Sequence, residues 1–188
     1  DKGCYGRVVW LEPMKWREGW PVIGEDADND GCGNPVLEYR KPNVQEQTVQ
    51  NPVENDEFNV PELGKQWQWH SNYQDLYGFT TPYGYMRLYT WPVSNQYVNL
   101  WETSNLLLQK FPAPTFTATT KVKMVSKEDG QEGGLILMGW DYSALTVCRK
   151  GDQFILRQRT CKNAEQGNAE TVIDIKSFEP SERQTIIY

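Results

Sequence analysis

Apolar residues in this chain fall into short runs that alternate with polar positions and are separated by turn-forming residues. Phe116 to Met124 is the cleanest case. Phe116, Ala118, Thr120, Val122 and Met124 share one face, and Thr117, Thr119, Lys121 and Lys123 share the other. Trp67 and Trp69 alternate with Gln66, Gln68 and His70, and Tyr85 to Tyr89 follows the same period. Gly134–Gly139, Ala144–Cys148 and Phe154–Arg159 read as further strands, the last two joined by a Lys150-Gly151-Asp152 hairpin turn. Ile173 with Ile175, and Ile186 to Tyr188, complete the series, while Ser104–Lys110 alone hints at a helical turn. Short strands with regular turn signals predict an all-β antiparallel sandwich over residues 58–188.

The segment before Phe58 is different. In residues 1–24, Val8 to Leu11, Met14, Trp16 and Trp20 are interrupted by Pro13 and Gly19, which suits two short strands. Two strands do not make a domain, so this segment is expected to pack either on the rest of this chain or on a body outside it. Residues 25–57 read as a polar hairpin and surface linker, with a single strand expected at Val36–Tyr39. The first residues lack a charged-then-apolar start, placing the chain downstream of any targeting segment. The last ones lie within an apolar strand, so the sandwich is expected to continue past Tyr188.

Eight Trp and ten Tyr permit two roles, rings filling a β-rich core and rings forming flat platforms for sugars. Trp67 and Trp69, on one strand face, favour the core. A net charge of −6 with scattered basic residues argues against nucleic acid or an anionic membrane as partner. No apolar run approaches the roughly 20 residues of a membrane-spanning helix. Cys4, Cys32, Cys148 and Cys161 show neither a CxxC pair nor metal spacing, which leaves the redox compartment open. His70 is the single histidine, so it alone would have to support any His-based metal site or nucleophile relay.

Several longer segments carry a resemblance. Asp1 to Trp16 (DKGCYGRVVWLEPMKW), followed by Gly19 to Gly24 (GWPVIG), is similar to the final blade of the five-bladed β-propeller of glycoside hydrolase family 43. Phe58 to Trp69, Asn99-Leu100-Trp101, Leu106 to Pro114 (LLLQKFPAP) and Phe116 to Thr120 resemble the concanavalin-like sandwich that follows that propeller in β-xylosidases and α-L-arabinofuranosidases. The resemblance implies a glycosidase acting on xylan or arabinoxylan, or its oligosaccharides, in an extracellular or periplasmic setting. The sandwich would stabilise the propeller and contribute to xylan binding. A stand-alone carbohydrate-binding module without activity is the alternative. The resemblance also assigns the catalytic carboxylates to earlier blades, so no residue of this chain is designated catalytic.

Candidate site residues follow. The resemblance places Arg7, after Tyr5-Gly6, at the floor of a substrate pocket, where a guanidinium would donate paired hydrogen bonds to sugar hydroxyls. Trp140-Asp141-Tyr142, expected in a loop, combines rings with a carboxylate and reads either as a sugar contact or as a turn capped by Asp141. Asp26-Ala27-Asp28-Asn29-Asp30-Gly31 matches the start of a calcium loop, with alternating carboxylates and a glycine at the sharp turn. Leu37 stands where the full twelve-residue loop needs an acid, so the expected site is a shorter one. It would use Asp26, Asp28, Asp30 and the Cys32 carbonyl, against the alternative of an acidic, solvated hairpin tip.

Overall fold

A computed structural model describes residues 9–51, 53–74, 77–179 and 185–187. The chain divides into two units, Asp1–Asn51 and Pro52–Tyr188.

In the first unit, strands β1 (Met14–Arg17) and β2 (Trp20–Ile23) form an antiparallel hairpin with Met14 opposite Ile23. Its turn places Glu18 at φ 48° and Gly19 at φ 84°. Positive φ at both central positions is what a tight hairpin turn needs to match the twist of its strands. Among the described residues of this unit, Val22 is the one buried hydrophobic, whereas Trp10, Trp16 and Trp20 remain 78%, 68% and 77% exposed. Val36–Tyr39 forms no strand, contrary to expectation. The Val36 N–H donates to the Glu12 carboxylate at 3.0 Å, and Leu37 is fully exposed. Without a neighbouring strand, local β-propensity has nothing to pair with.

The second unit is built from antiparallel pairs. β3 (Gln68–Trp69) pairs with β6 (Leu107–Leu108), β4 (Gly78–Thr81) with β5 (Tyr85–Leu88), and β7 (Thr120–Val122) with β12 (Thr185–Ile187). The largest sheet contains β8 (Glu132–Leu137), β9 (Tyr142–Lys150), β10 (Gln153–Cys161) and β11 (Thr171–Phe178), in spatial order β11-β10-β9-β8. Its registers put Leu135, Leu145, Val147, Phe154, Leu156 and Phe178 on one face. Val122 and Met124 pack against that face from β7 and the residues just after it, forming one apolar layer contact. This two-layered, all-antiparallel arrangement is the sandwich that the alternation predicted, of the concanavalin-like class that the resemblance implies.

Three local expectations change. Among the described residues, the Phe116–Met124 run is strand over Thr120–Val122, where it pairs with β12. Ser104–Lys110 is not helical, since Leu107 and Leu108 belong to β6. The 3-10 turn lies instead at Leu100–Glu102, where the Asn99 side chain accepts from the Trp101 N–H. Finally, Tyr142 is not in a loop. It opens β9 and is only 4% exposed.

Candidate functional site

The acidic loop of the first unit follows β2. Reciprocal backbone hydrogen bonds between Glu25 and Asn34, both 2.9 Å, close its neck. A Cβ at Gly24 would lie 2.1 Å from the Asn34 carbonyl oxygen, so only glycine permits this approach. At the tip, Asn29 (φ 59°) and Gly31 (φ 90°) adopt the left-handed conformation and fold the acids inward. One carboxylate oxygen each from Asp26, Asp28 and Asp30 lies within 4.8 Å of the others. Oxygens about 2.4 Å from a shared calcium ion can be at most about 4.8 Å apart, so the spacing is compatible with one cation.

The loop's existing bonds limit what remains available. Arg17, on β1, pairs with Asp26 Oδ2 and also donates to Asn29 Oδ1 at 2.9 Å. Asp26 Oδ2 further accepts the Gly31 N–H at 3.1 Å. Asp26 Oδ1 is buried and has no hydrogen-bond partner among the described residues, and the side chain as a whole is 10% exposed. Asp28 and Asp30 are exposed. Cys32 joins the loop through its N–H, which donates to Asp30 Oδ1 at 2.7 Å, and it too is exposed.

In the second unit, Trp140, Asp141 and Tyr142 have separate tasks. Trp140 is 72% exposed. Asp141 Oδ1 accepts the Asn163 N–H at 2.9 Å, a bond to a segment 22 residues away rather than within its own turn. The buried Tyr142 hydroxyl donates to Glu170 Oε2 at 2.6 Å and accepts the Leu100 N–H at 3.0 Å. Of the three, Trp140 alone presents an open ring. Arg7 lies outside the described residues. Trp67 stacks on Phe58 at 5.5 Å and donates its indole N–H to Asp56 at 2.8 Å. Trp69 packs against Tyr73 and the fully buried Tyr77, so both indoles belong to aromatic clusters.

One ionic cluster was not anticipated. On the sheet face opposite the apolar layer, Arg159 donates through Nε and Nη2 to both oxygens of Glu132, each at 2.6 Å. Its Nη1 pairs with Glu170. Arg157 contacts Glu132 at 3.5 Å and Asp174 at 2.6 Å. Thr146 donates to Glu132, and Tyr97 donates to Glu170 at 3.0 Å. Burial opposes ionisation of Glu132, but the hydrogen bonds from Arg159 and Thr146 and the arginine charges outweigh it, leaving its carboxyl below the usual value. Burial, then Glu170, pushes the Tyr97 and Tyr142 hydroxyls up, so both remain protonated donors. Period-two spacing of Arg157 and Arg159 on β10 was the available signal. Glu132 and Glu170, on other elements, could not be linked to them from spacing.

Antiparallel sheets layered through one apolar face, with a saturated ionic face behind, define an all-β module of the concanavalin-like class. Residues 55–186 match the family described as the beta xylosidase C-terminal Concanavalin A-like domain, and the chain belongs to that family. It is 33% identical over 161 residues to a beta-xylosidase from Formosa agariphila, covering 76% of this chain and 27% of that protein. It is 26% identical over 163 residues to a non-reducing end alpha-L-arabinofuranosidase from Bacteroides ovatus, covering 84% and 29% respectively. The chain thus spans less than a third of the length of these relatives. No solved structure matches it significantly.

Proposed function

We propose that this chain is the C-terminal region of a glycoside hydrolase that cleaves xylosidic or arabinofuranosidic linkages in xylan or arabinoxylan. Its sandwich packs against a catalytic propeller, stabilises it and binds xylan. The enzyme works outside the cytoplasm, in an extracellular or periplasmic space where the polymer is accessible. The observation that carries this reading is the exposure of Trp10, Trp16 and Trp20 in a unit that, among its described hydrophobic residues, buries only Val22. A two-stranded hairpin with three bare indoles fits the edge of a larger sheet, such as a propeller blade.

The test is activity against aryl β-xylosides and aryl α-arabinofuranosides. The pure chain is expected to give no turnover, and a protein carrying the propeller N-terminal to it is expected to hydrolyse one of them. Turnover by the chain alone would show that the working carboxylates lie within it. The competing reading, a carbohydrate-binding module with no catalytic partner, draws on the open ring of Trp140. Inactivity of the extended protein on both substrates would favour it.

Calcium in the Asp26–Asp30 loop forms part of the same proposal. Its support is the unpartnered, buried Asp26 Oδ1 beside two exposed carboxylates. With calcium about 100-fold above the dissociation constant, binding to the folded form would stabilise it by about 2.7 kcal/mol. Unfolding midpoints with calcium and with chelator measure this, and equal midpoints would remove the loop as a cation site.

A further inference from the structure

We infer that the open face of the β4–β5 hairpin is a docking platform for a uronate-bearing xylan-type chain, with sugar rings resting on Tyr83 and Tyr85 and the carboxylate on Arg87. This rests on the proposed xylan-binding role of the sandwich and names the substrate class and the surface that meets it.

Strand register gathers the platform. Phe79 stands opposite Arg87 and Thr81 opposite Tyr85, and the Tyr89 N–H extends the pairing to the Tyr77 carbonyl at 3.0 Å. Opposed residues share a face, as do residues two apart on one strand, so Phe79, Tyr85, Arg87 and Tyr89 lie on one side of the hairpin. Tyr83, in the turn, lies nearly parallel to Tyr85, with 18° between the planes and 6.4 Å between centroids. Phe79 meets Tyr89 at 6.1 Å.

These rings are not part of the interior. Tyr77 is fully buried against Trp69, Tyr73 and Trp91, whereas Phe79, Tyr83, Tyr85 and Tyr89 are 42% to 80% exposed. A contiguous aromatic patch left in solvent marks a contact surface. Tyrosine suits a sugar, because its flat ring takes the C–H face while its hydroxyl meets the ring's own hydroxyls.

Charge selects the occupant. Arg149, Arg157 and Arg159 each reach a carboxylate. The exposed Arg87 and Lys123 form no ion pair among the described residues. Arg87 Nη2 lies 3.5 Å from the Tyr85 hydroxyl, a long contact that leaves the guanidinium fork available. That hydrogen bond, followed by the charges of Arg87 and Lys123, holds the Tyr85 hydroxyl below its usual value, so a second cation acts on the same rings. A chain of net charge −6 thus keeps two cations unpaired beside exposed tyrosines. The complementary ligand is both hydroxyl-rich and anionic. A uronate supplies a C–H face for the rings and a planar carboxylate that the guanidinium fork matches in bidentate fashion.

The turn is held before any ligand arrives. The buried Thr81 donates to the Tyr85 carbonyl at 2.9 Å and accepts the Tyr83 N–H at 3.4 Å. Gly84, at φ 72°, closes against Asn59, whose Oδ1 would lie 2.8 Å from a Cβ placed there. Little backbone ordering then remains to be done on binding.

The test is calorimetric titration of the full chain with a glucuronate-substituted xylo-oligosaccharide and with xylotetraose, at low and high salt. The wild type is expected to bind the acidic sugar about fivefold more tightly, with the preference shrinking as salt screens the cations. Arg87→Gln is expected to remove that preference and leave xylotetraose affinity unchanged. Tyr83→Ala is expected to weaken both ligands about threefold, through loss of a stacking surface. Both side chains are exposed, so unfolding midpoints matching the wild type verify that the variants fold. Equal affinity of the wild type for the two sugars, or a preference that survives Arg87→Gln, would overturn the platform while leaving xylan binding standing. Absence of binding to either sugar would overturn both the binding role and its location. Self-association of the wild type that Arg87→Gln abolishes, without sugar binding, would overturn the platform by assigning this face to a second copy of the chain.

Discussion

Two clusters of three carboxylates among the described residues are finished in opposite ways. In the sheet, Glu132, Glu170 and Asp174 face two guanidiniums, Arg157 and Arg159, and each carboxylate meets at least one of them. In the loop, Asp26, Asp28 and Asp30 share one, Arg17, which reaches only Asp26. The sheet cluster lies in the part-buried interior, where ion pairs persist only if geometry and hydrogen bonds are nearly complete. In the loop, Asp28 and Asp30 are solvated, so incomplete pairing costs little for them, while the less exposed Asp26 is the one that Arg17 reaches. Acid density alone therefore does not indicate a binding site. The closed cluster is structural reinforcement of β8, β9 and β10, whereas the open one retains capacity for a cation.

The strongest way to break this contrast is to remove one arginine from the closed cluster. Arg159 is 14% exposed and contacts Glu132 through two nitrogens and Glu170 through a third. Arg159→Ala leaves two part-buried carboxylates short of a counter-charge and is expected to destabilise the second unit by about 3 kcal/mol. Denaturant unfolding measures this. A loss below about 1 kcal/mol would place the sheet cluster in the same weakly coupled class as the loop.

Acid sharpens the comparison at the next level. The folded-state pKa of Glu132 is lowered, so its stabilisation is fully present above the ordinary glutamate value of about 4.3 and is lost as pH falls through the depressed folded value. Stability of the second unit is accordingly expected to decline below about pH 4.3, with a smaller decline in Glu132→Gln. That variant, measured at neutral pH, should itself cost about 2 kcal/mol, because two arginines lose a charged acceptor. Parallel pH profiles for wild type and Glu132→Gln would assign the acid sensitivity elsewhere.

Much of this architecture was readable from alternation and punctuation. Lys150-Gly151-Asp152 joins β9 to β10, and the Tyr85–Tyr89 pattern became β5 over Tyr85–Leu88. Misreadings occurred where a distant partner decides the outcome. Among the described residues, Val36–Tyr39 has strand-forming residues but no strand neighbour, and Phe116–Met124 is paired over Thr120–Val122. Tyr142 looked like a loop ring because it follows Gly139-Trp140-Asp141, yet pairing with Cys161 draws it into the core. For the sites, the acidic loop was legible because its residues are local in sequence. The Arg159 cluster joins Arg159 to Glu132, 27 residues away, and Tyr97 to Glu170, 73 residues away, which no spacing rule reveals.

The smallest expected effect is the most discriminating between the clusters. Asp28→Asn makes the same chemical change as Glu132→Gln, replacing a carboxylate with an amide. Asp28 is exposed and has no ion pair among the described residues, while it shares its loop with two other acids. In metal-free buffer the substitution removes like-charge repulsion and should alter stability by no more than about 0.5 kcal/mol, in the stabilising direction. Chemical denaturation with the fluorescence of Trp16 and Trp20 followed in parallel reports on the neighbouring hairpin. A loss comparable to that of Glu132→Gln would mean that Asp28 is tied into its loop as firmly as Glu132 is into the sheet. The distinction between an open and a closed carboxylate cluster would then fail.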